Sequence, residues 1–174
     1  MPGNDDLVPS GYFSYAFVIF APMRILMVCL GNICRSPIAE GVLRHKIKEQ
    51  GLKWTVASAG TESYHVGEPP HRLSQKVCLA HDIDISEQRA KKFTGEDIDE
   101  YDIIYAMAHD VYREMQQIAG RAVKMHNVRY FLNELHPGSN DSVPDPYYGT
   151  DEGYYTVYEM IDKTCDAIIA NNKK

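Results

Sequence analysis

Cys29 and Arg35 are six positions apart in one short segment, and both side chains can act on a phosphate group. A thiolate sulfur can attack phosphorus, and a planar guanidinium can bind two phosphate oxygens at once. Gly31 lies between them and allows backbone conformations that turn N–H groups toward an anion. Residues 29–36 therefore predict phosphate chemistry that proceeds through a cysteine.

This segment lies between a predicted strand and a predicted helix. Residues 25–28 are an apolar run, as is typical of a strand that is buried on both faces. Ser36 can cap the helix that follows, Pro37 suits its first turn and Gly51 suits its end. Because a helix N-terminus attracts anions, we expect it to bind phosphate, together with the loop amides, and to favour the thiolate form of Cys29.

The alternative for Cys29 is a structural cysteine, since buried cysteines are common in proteins. The spacing of five residues between a cysteine and an Arg-Ser pair also occurs by chance. The position of Cys29, directly after a buried strand and before a capped helix, favours the catalytic interpretation. Ser36 would then donate a hydrogen bond to the sulfur and help it to leave.

Strand-like and helix-like patterns alternate along the rest of the chain. Further strands are predicted at residues 54–57, 102–107 and 123–128, and further helices at residues 71–81, before about residue 120 and at residues 152–171. Residues 133–151 are rich in Pro, Gly, Ser and Asp and are predicted to form a long surface loop, which is often a functional feature. The alternation predicts an α/β three-layer sandwich: a four-stranded parallel sheet with helices on both faces and the phosphate-binding loop after the first strand.

The composition limits the classes of protein that fit the chain. Its 174 residues suit one domain, and its net charge of −6 is opposite to the basic excess of a general nucleic-acid binder. The four cysteines form no CxxC pair, and neither a disulfide scaffold nor a zinc site is indicated. We expect a cytoplasmic monomer or weak dimer without metal or cofactor, and without nucleic-acid or membrane partners.

The first 22 residues differ from the rest of the chain. Residues 13–21 are apolar but too short to span a membrane, and the residues before them carry no Lys or Arg of the kind that starts a secretory signal. The sequence that begins at Met23 looks like a natural protein start. We therefore interpret residues 1–22 as an N-terminal extension of uncertain role or a mis-assigned start, with a short extra strand or hydrophobic arm as the alternative, and residues 23–174 as the domain that carries the predicted phosphate chemistry.

Residues 28–37, with the sequence VCLGNICRSP, strongly resemble the signature of the low-molecular-weight protein tyrosine phosphatases. Three further motifs are similar to that family: IAEG, SAGT and DPYY, at residues 38–41, 58–61 and 145–148. The resemblance covers the chain from about Met23 to the C-terminus. Together these motifs are highly specific.

The resemblance implies a phosphatase that acts on phosphotyrosine-containing proteins through a phosphocysteine. It assigns the nucleophile to Cys29, phosphate binding to Arg35, and the general acid and base to Asp145. The phosphate-binding loop that it implies also comprises Leu30, Gly31, Asn32, Ile33, Cys34 and Ser36.

The position of Asp145 in a long loop fits the role of a general acid, because such a loop can close over a site. Pro144 and Pro146 stiffen the backbone on either side. The alternative is a plain turn aspartate, since Asp is common in turns beside Pro. The motif at Cys29 favours catalysis, and Asp141 and Asp151 are weaker candidates for the acid.

Other implied roles have competing structural interpretations. By resemblance, Tyr147 and Tyr148 line the cleft rim, where an aromatic wall can stack on phosphotyrosine; ordinary loop anchoring is the alternative. Asn32 matches the family asparagine that supports the loop. Cys34 is either the partner of Cys29 in a reversible disulfide or a small packing residue.

Two positions depart from the family pattern. Gln88 stands where the family often has a loop-supporting His, and we expect it to hydrogen-bond Asn32 instead. Met107 is followed by Ala108, where the family often has Asp, so no carboxylate is expected beside Arg35 from that position.

Three alternative functions remain at this point. An arsenate reductase of the same fold would need relay cysteines, and only Cys78 lies near the expected segment. Protein-arginine phosphatases often carry Thr at the position of Ile33, which favours tyrosine here. A non-catalytic phosphotyrosine-binding module is disfavoured because Cys29, Arg35 and Asp145 occur together.

Overall fold

The computed structural model describes residues 22–173, which contain one four-stranded sheet. Its strands are β1 Arg24–Cys29, β2 Thr55–Gly60, β3 Ile103–Ala106 and β4 Val128–Tyr130. They are all parallel and lie in the order β2-β1-β3-β4, with Cys29 opposite Gly60. The predicted four-stranded parallel sheet is confirmed.

Helices connect the strands and end the chain. Within the described residues they are α1 Arg35–Glu49, α2 Arg72–Leu79, α3 Asp97–Glu100, α4 His109–Ala119 and α5 Asp151–Asn172. A short 3₁₀ helix, Phe131–Glu134, follows β4. None of these helices is long and apolar enough to cross a membrane.

The sheet is covered on both faces. Successive side chains of a strand point to opposite faces. Ile25 and Met27 of β1 therefore belong to the core shared with α1, α2 and α5, whereas Leu26 and Val28 belong to the core shared with α3 and α4. All four side chains are completely buried, which is why β1 is apolar throughout. The three-layer arrangement is confirmed.

The predicted position of the fourth strand is wrong. Residues 123–127 contain a bend and a turn and no strand, and β4 begins only at Val128. The side chain of Asn127 donates to the carbonyl oxygens of Ile98 and Tyr101, at 2.8 and 2.7 Å, and so fixes the approach to the strand. Val123, which made the earlier segment look strand-like, is 37% exposed.

The prediction that Ser36 caps α1 is also wrong. The helix begins at Arg35, and its N-cap is Cys34, whose side chain makes no capping hydrogen bond. The helix does end just before Gly51, which adopts the left-handed φ of 62° that favours glycine. The N-terminal extension predicted at residues 1–22 lies almost entirely outside the described residues.

Candidate active site

Cys29 and Arg35 lie at the two ends of one loop, at the carboxyl edge of the sheet. Cys29 is the last residue of β1 and Arg35 is the first residue of α1; they are 2% and 4% exposed. Both line an open cavity of about 300 Å³, and Asp145 lines the same cavity. The three residues assigned to catalysis from the sequence are therefore neighbours in the structure.

The sulfur of Cys29 is in contact with the hydroxyl of Ser36. Their distance is 2.9 Å, and Asn32 Nδ2 donates to the same hydroxyl oxygen at 2.8 Å. The single proton of Ser36 is thus left for Cys29 or for the Ala59 carbonyl, which is farther away at 3.4 Å. Ser36 can therefore donate to a thiolate from its place in the first turn of α1, one residue past the start of the helix.

Asn32 anchors the loop from below. Its φ of 55° is a left-handed conformation that asparagine tolerates. Its amide donates to Ser58 Oγ at 2.8 Å, and its carbonyl accepts the backbone N–H of Lys91 at 2.9 Å. Ser58 in turn donates to Glu40, a buried carboxylate that also pairs with Arg44. The loop is therefore fixed by β2, by α1 and by the segment before α3.

The prediction that Gln88 supports Asn32 is wrong. Gln88 Nε2 donates to the Pro37 carbonyl at 3.2 Å, and its Oε1 has no hydrogen-bond partner among the described residues. Asn32 already uses both amide N–H groups on serine hydroxyls. Its side-chain carbonyl accepts instead from the backbone N–H of Lys91, three residues after Gln88.

Arg35 is oriented by the long loop before α5. Its Nη1 donates to the Val143 carbonyl and its Nη2 to Asp145 Oδ2, each at 3.1 Å. Its Nε has no partner within residues 22–173. Ala108 is buried at the start of α4 and offers no carboxylate to Arg35, so the Val143 carbonyl and Asp145 orient the guanidinium.

Asp145 reaches the cavity because its loop is tied to the end of β3. The N–H of Val143 donates to the Met107 carbonyl at 2.8 Å. The Asp145 side chain is 39% exposed, and its Oδ1 accepts the N–H of Tyr147 at 3.1 Å. The carboxyl group therefore sits at the boundary between cavity and solvent, where it can exchange protons.

The mouth of the cavity is aromatic. Tyr147 and Tyr148 both line it, with their rings 4.9 Å apart and nearly perpendicular. Sequence reasoning missed three further lining residues: Glu62, Tyr64 and His65. The available signal was the SAGT motif, because residues that follow a strand adjacent to β1 must reach the same edge of the sheet.

Gly60 explains how this second loop approaches the first. A Cβ atom at Gly60 would lie 2.7 Å from the carbonyl oxygen of Leu30, closer than such contacts occur. The absence of a side chain allows Thr61 and Glu62 to donate backbone hydrogen bonds to Cys29 and Leu30, both at 3.0 Å. The two loops are therefore joined through their main chains.

The loop turns its carbonyl groups away from the cavity at several positions. The carbonyls of Cys29, Leu30 and Ile33 all accept backbone hydrogen bonds from neighbouring segments. The N–H groups of residues 30–34 donate none to any residue between 22 and 173. The first turn of α1 carries no acidic residue, and helix N-termini are positive. The loop is thus an electropositive cradle with donors available.

Cys34 lines the cavity but is almost completely buried, with its sulfur beside α5. It is 5% exposed, and its sulfur lies 3.3 Å from the hydroxyl of Tyr154. Burial raises the pKa of Cys34 to about 11, so that it is a thiol at neutral pH. The disulfide between Cys34 and Cys29 stays a prediction.

Known proteins share both the sequence and the fold. The sequence profile of the low molecular weight phosphotyrosine protein phosphatases matches residues 24–174. The low molecular weight phosphotyrosine protein phosphatase of Homo sapiens is 34% identical over 86% of this chain and 95% of its own. The low molecular weight protein-tyrosine-phosphatase YfkJ of Bacillus subtilis is 32% identical over 87% of this chain and 97% of its own. The crystal structure of YfkJ superposes with a TM-score of 0.79 over 87% of this chain and 94% of that one. This chain belongs to the low molecular weight phosphotyrosine protein phosphatase family.

Proposed function

We propose that the protein hydrolyses phosphotyrosine in proteins through a phosphocysteine on Cys29. The observation that carries the proposal is the convergence of Cys29, Arg35 and Asp145 on one cavity. These side chains supply a nucleophile, a phosphate ligand and a proton donor, which are the groups that the reaction needs. The family to which the chain belongs supports the same reaction.

Phosphate binding is assigned to the loop and Arg35. The N–H groups of residues 30–34, which have no backbone acceptor within residues 22–173, and the N-terminus of α1 offer donors to the phosphate oxygens. The guanidinium of Arg35 adds a bidentate contact and offsets the negative charge. These donors stabilise the charge that develops on the equatorial oxygens during transfer.

In the first step, the thiolate of Cys29 attacks phosphorus and the bond from phosphorus to the phenolic oxygen breaks. Asp145, in its protonated form, gives its proton to that oxygen, so that tyrosine leaves as a neutral phenol. The phosphoryl group is then bonded to the sulfur of Cys29.

In the second step, water attacks the phosphocysteine and Asp145, now a carboxylate, takes a proton from the water. The sulfur–phosphorus bond breaks and inorganic phosphate is released. Ser36 Oγ, at 2.9 Å from the sulfur, donates a hydrogen bond to the departing thiolate.

The shape of the cavity supports an aromatic substrate. Cys29 lies at its base, and Ile33 and Leu30 provide apolar wall below the tyrosines of the mouth. A flat phenyl ring fits such a wall, whereas the shorter phosphoserine has no ring to place there.

A phosphoarginine substrate is the second candidate, because one feature of the wall favours it. Glu62 lines the cavity, and its carboxylate could bind the guanidinium of phosphoarginine. Ile33, at the position where arginine phosphatases of this family often have Thr, favours tyrosine. An arsenate reductase has less support, because Cys78 and Cys165 are fully buried in the core.

The proposed phosphatase domain is residues 23–174, with residues 1–22 as an extension. A reducing compartment such as the cytoplasm fits the mechanism, because the nucleophile must remain a free thiol or thiolate. We propose a monomer or weak dimer that works without metal or cofactor, since Arg35 and the loop amides carry the charge stabilisation. Chelators should therefore leave the rate unchanged.

Turnover of para-nitrophenyl phosphate by Cys29→Ser tests the proposal. We expect this variant to lose turnover, because the hydroxyl replaces the thiolate nucleophile. Cys78→Ala, which removes a buried thiol that does not line the cavity, should keep it. A Cys29→Ser protein as active as the unaltered one would refute the mechanism, and an inactive unaltered protein would favour a binding module.

A panel of phosphotyrosine, phosphoserine and phosphoarginine peptides then assigns the substrate. We expect kcat/KM to be highest for phosphotyrosine. Preferential hydrolysis of phosphoarginine would assign the second candidate function instead.

A further inference from the structure

His71 connects the phosphate-binding loop to the aromatic mouth of the cavity. Its backbone N–H donates to the Ile33 carbonyl at 2.8 Å. Its ring stacks on Tyr154, with centroids 5.5 Å apart and planes 14° apart. The same ring meets Tyr147 edge to face at 5.8 Å and 64°. One residue of the α2 N-terminus thus contacts the loop, α5 and the cavity wall.

Hydrogen bonds fix the orientation of the His71 ring. The N–H of Leu73 donates to His71 Nδ1 at 3.2 Å, so this nitrogen is an acceptor and the ring proton is on Nε2. The Tyr154 hydroxyl lies 3.1 Å from the same Nδ1 and 3.3 Å from Cys34 Sγ, and so joins the ring to the phosphate-binding loop. Burial and the neighbouring Arg72 lower the pKa of His71, which favours this neutral form.

The contact with the His71 ring is the best supported of the ring contacts of Tyr147. Tyr147 is 41% exposed, and its other two ring contacts lie at the surface: Tyr148 is 94% exposed, and His65 is partly exposed and held by the exposed Glu68. Among its described ring contacts, His71 is the one backed by a buried side chain, Tyr154, which is 1% exposed.

We propose that His71 is a positioning residue for substrate recognition, because its ring seats Tyr147 as the aromatic wall of the cavity. The inference rests on the proposed phosphotyrosine hydrolysis and adds the residue that keeps its aromatic wall in place. The His71 ring contacts Tyr147 directly, whereas its link to the phosphate-binding loop is indirect, through Tyr154 to Cys34. It therefore acts on ligands that carry an aromatic ring and not on phosphate alone.

The test compares His71→Asn with a matched variant, His81→Asn. In His71→Asn the side-chain oxygen of the new asparagine would still accept from Leu73 at the N-cap, but the ring is lost. His81 also stacks on a tyrosine of α5, Tyr158, at 4.1 Å and 10°, just beyond the other end of α2 and away from the cavity. The two variants therefore remove the same kind of ring contact at two different places.

Inhibition constants for benzylphosphonate and inorganic phosphate provide the readout, together with KM and kcat for para-nitrophenyl phosphate. We expect His71→Asn to weaken inhibition by benzylphosphonate and to raise KM, each by about 2- to 10-fold, which is the scale of one aromatic pair. Inorganic phosphate inhibition and kcat should stay unchanged, and His81→Asn should alter none of the four quantities. An equal loss for both inhibitors, or no loss for either, would overturn the assignment.

If circular dichroism shows that His71→Asn does not fold, the unaltered protein carries the test. The ring proton resonances of His71 should shift on addition of benzylphosphonate and much less with inorganic phosphate. If the ring proton resonances of His71 do not shift on addition of benzylphosphonate, the inference is overturned. An unaltered protein that binds benzylphosphonate but hydrolyses nothing would contradict the proposed function alone, whereas an active enzyme without the His71 effect would contradict this inference alone.

Discussion

Asp145 and a bound phosphate would compete for the same donor, the guanidinium of Arg35. Asp145 Oδ2 accepts from Arg35 Nη2 at 3.1 Å, and a bound phosphate dianion would claim that same donor. We expect phosphate to displace the carboxyl group from Arg35 while its Oδ1 stays near the N–H of Tyr147. This would leave Asp145 beside the leaving oxygen, where a general acid is required.

Replacing Asp145 with Asn tests the acid role. The expected loss in kcat for phenyl phosphate is about 10²–10⁴-fold, because the amide cannot protonate the leaving phenolate. The loss for para-nitrophenyl phosphate should be smaller, since that leaving group needs less protonation. Asp141→Asn, an exposed aspartate of the same loop, is the control and should keep the full rate. Equal rates for Asp145→Asn would move the acid role to another group.

Single residues show where sequence reasoning succeeds and where it stops. Motifs grouped Cys29, Arg35 and Asp145, and the three residues do line one cavity, whereas their catalytic roles stay a prediction. Gln88 could not be placed, because its contact depends on which hydrogen-bonding groups of Asn32 are already occupied. Which of these groups are occupied can be read only from the three-dimensional structure.

Three elements share one buried polar chain beneath the loop. Asn32 of the loop, Ser58 of β2 and Glu40 of α1 follow one another through hydrogen bonds, and all three are less than 9% exposed. Removal of the middle member would leave one buried N–H of the Asn32 amide and one buried oxygen of Glu40, Oε2, without their present partner. Both losses would destabilise the observed conformation of the phosphate-binding loop.

We therefore expect Ser58→Ala to lower the free energy of unfolding by about 1–3 kcal/mol, the cost of unsatisfied buried polar groups. Inorganic phosphate should also bind more weakly, because Asn32 loses a tether. Urea unfolding and inhibition constants measure the two effects. Ser63→Ala, at an exposed serine of the loop after β2, should change neither. Unaltered phosphate affinity in Ser58→Ala would show that this series of hydrogen bonds does not control the geometry of the loop.

The elements themselves were predictable to different degrees. β1 and α1 carry long, consistent signals, since a strand buried on both faces is apolar throughout. β4 has three residues, of which only Val128 is buried, so its pattern is too short to recognise. The short length of that strand and the hydrogen bonds of Asn127 before it explain why β4 was predicted at the wrong position.

The fold as a whole stabilises the protonated form of its buried thiols. Burial raises the pKa of Cys34 to about 11 and that of Cys78 to about 12. In an unfolded chain a thiol ionises near pH 8.5. Since the folded pKa is the higher one, this stabilisation is complete below about pH 8.5 and is lost as the pH rises toward the folded values.

The free energy of unfolding should therefore fall between about pH 8 and pH 10, by about 1–2 kcal/mol for each such thiol. Urea unfolding in the presence of a reductant measures the fall. Cys78→Ala starts from a lower stability because of the cavity, but its stability should fall less steeply over this interval. The same pH dependence in both proteins would show that Cys78 does not titrate with unfolding.

The whole molecule gathers Cys29, Arg35 and Asp145 at the carboxyl edge of a parallel sheet, and we propose that a phosphoryl group is transferred to Cys29 there. Rapid quenching of the protein with a ³²P-labelled phosphotyrosine peptide, followed by mass spectrometry of its fragments, tests this most directly. We predict that the phosphoryl group is found on Cys29 during the first turnover and then passes to water. Hydrolysis without a labelled protein, or with the label on another residue, would contradict the mechanism.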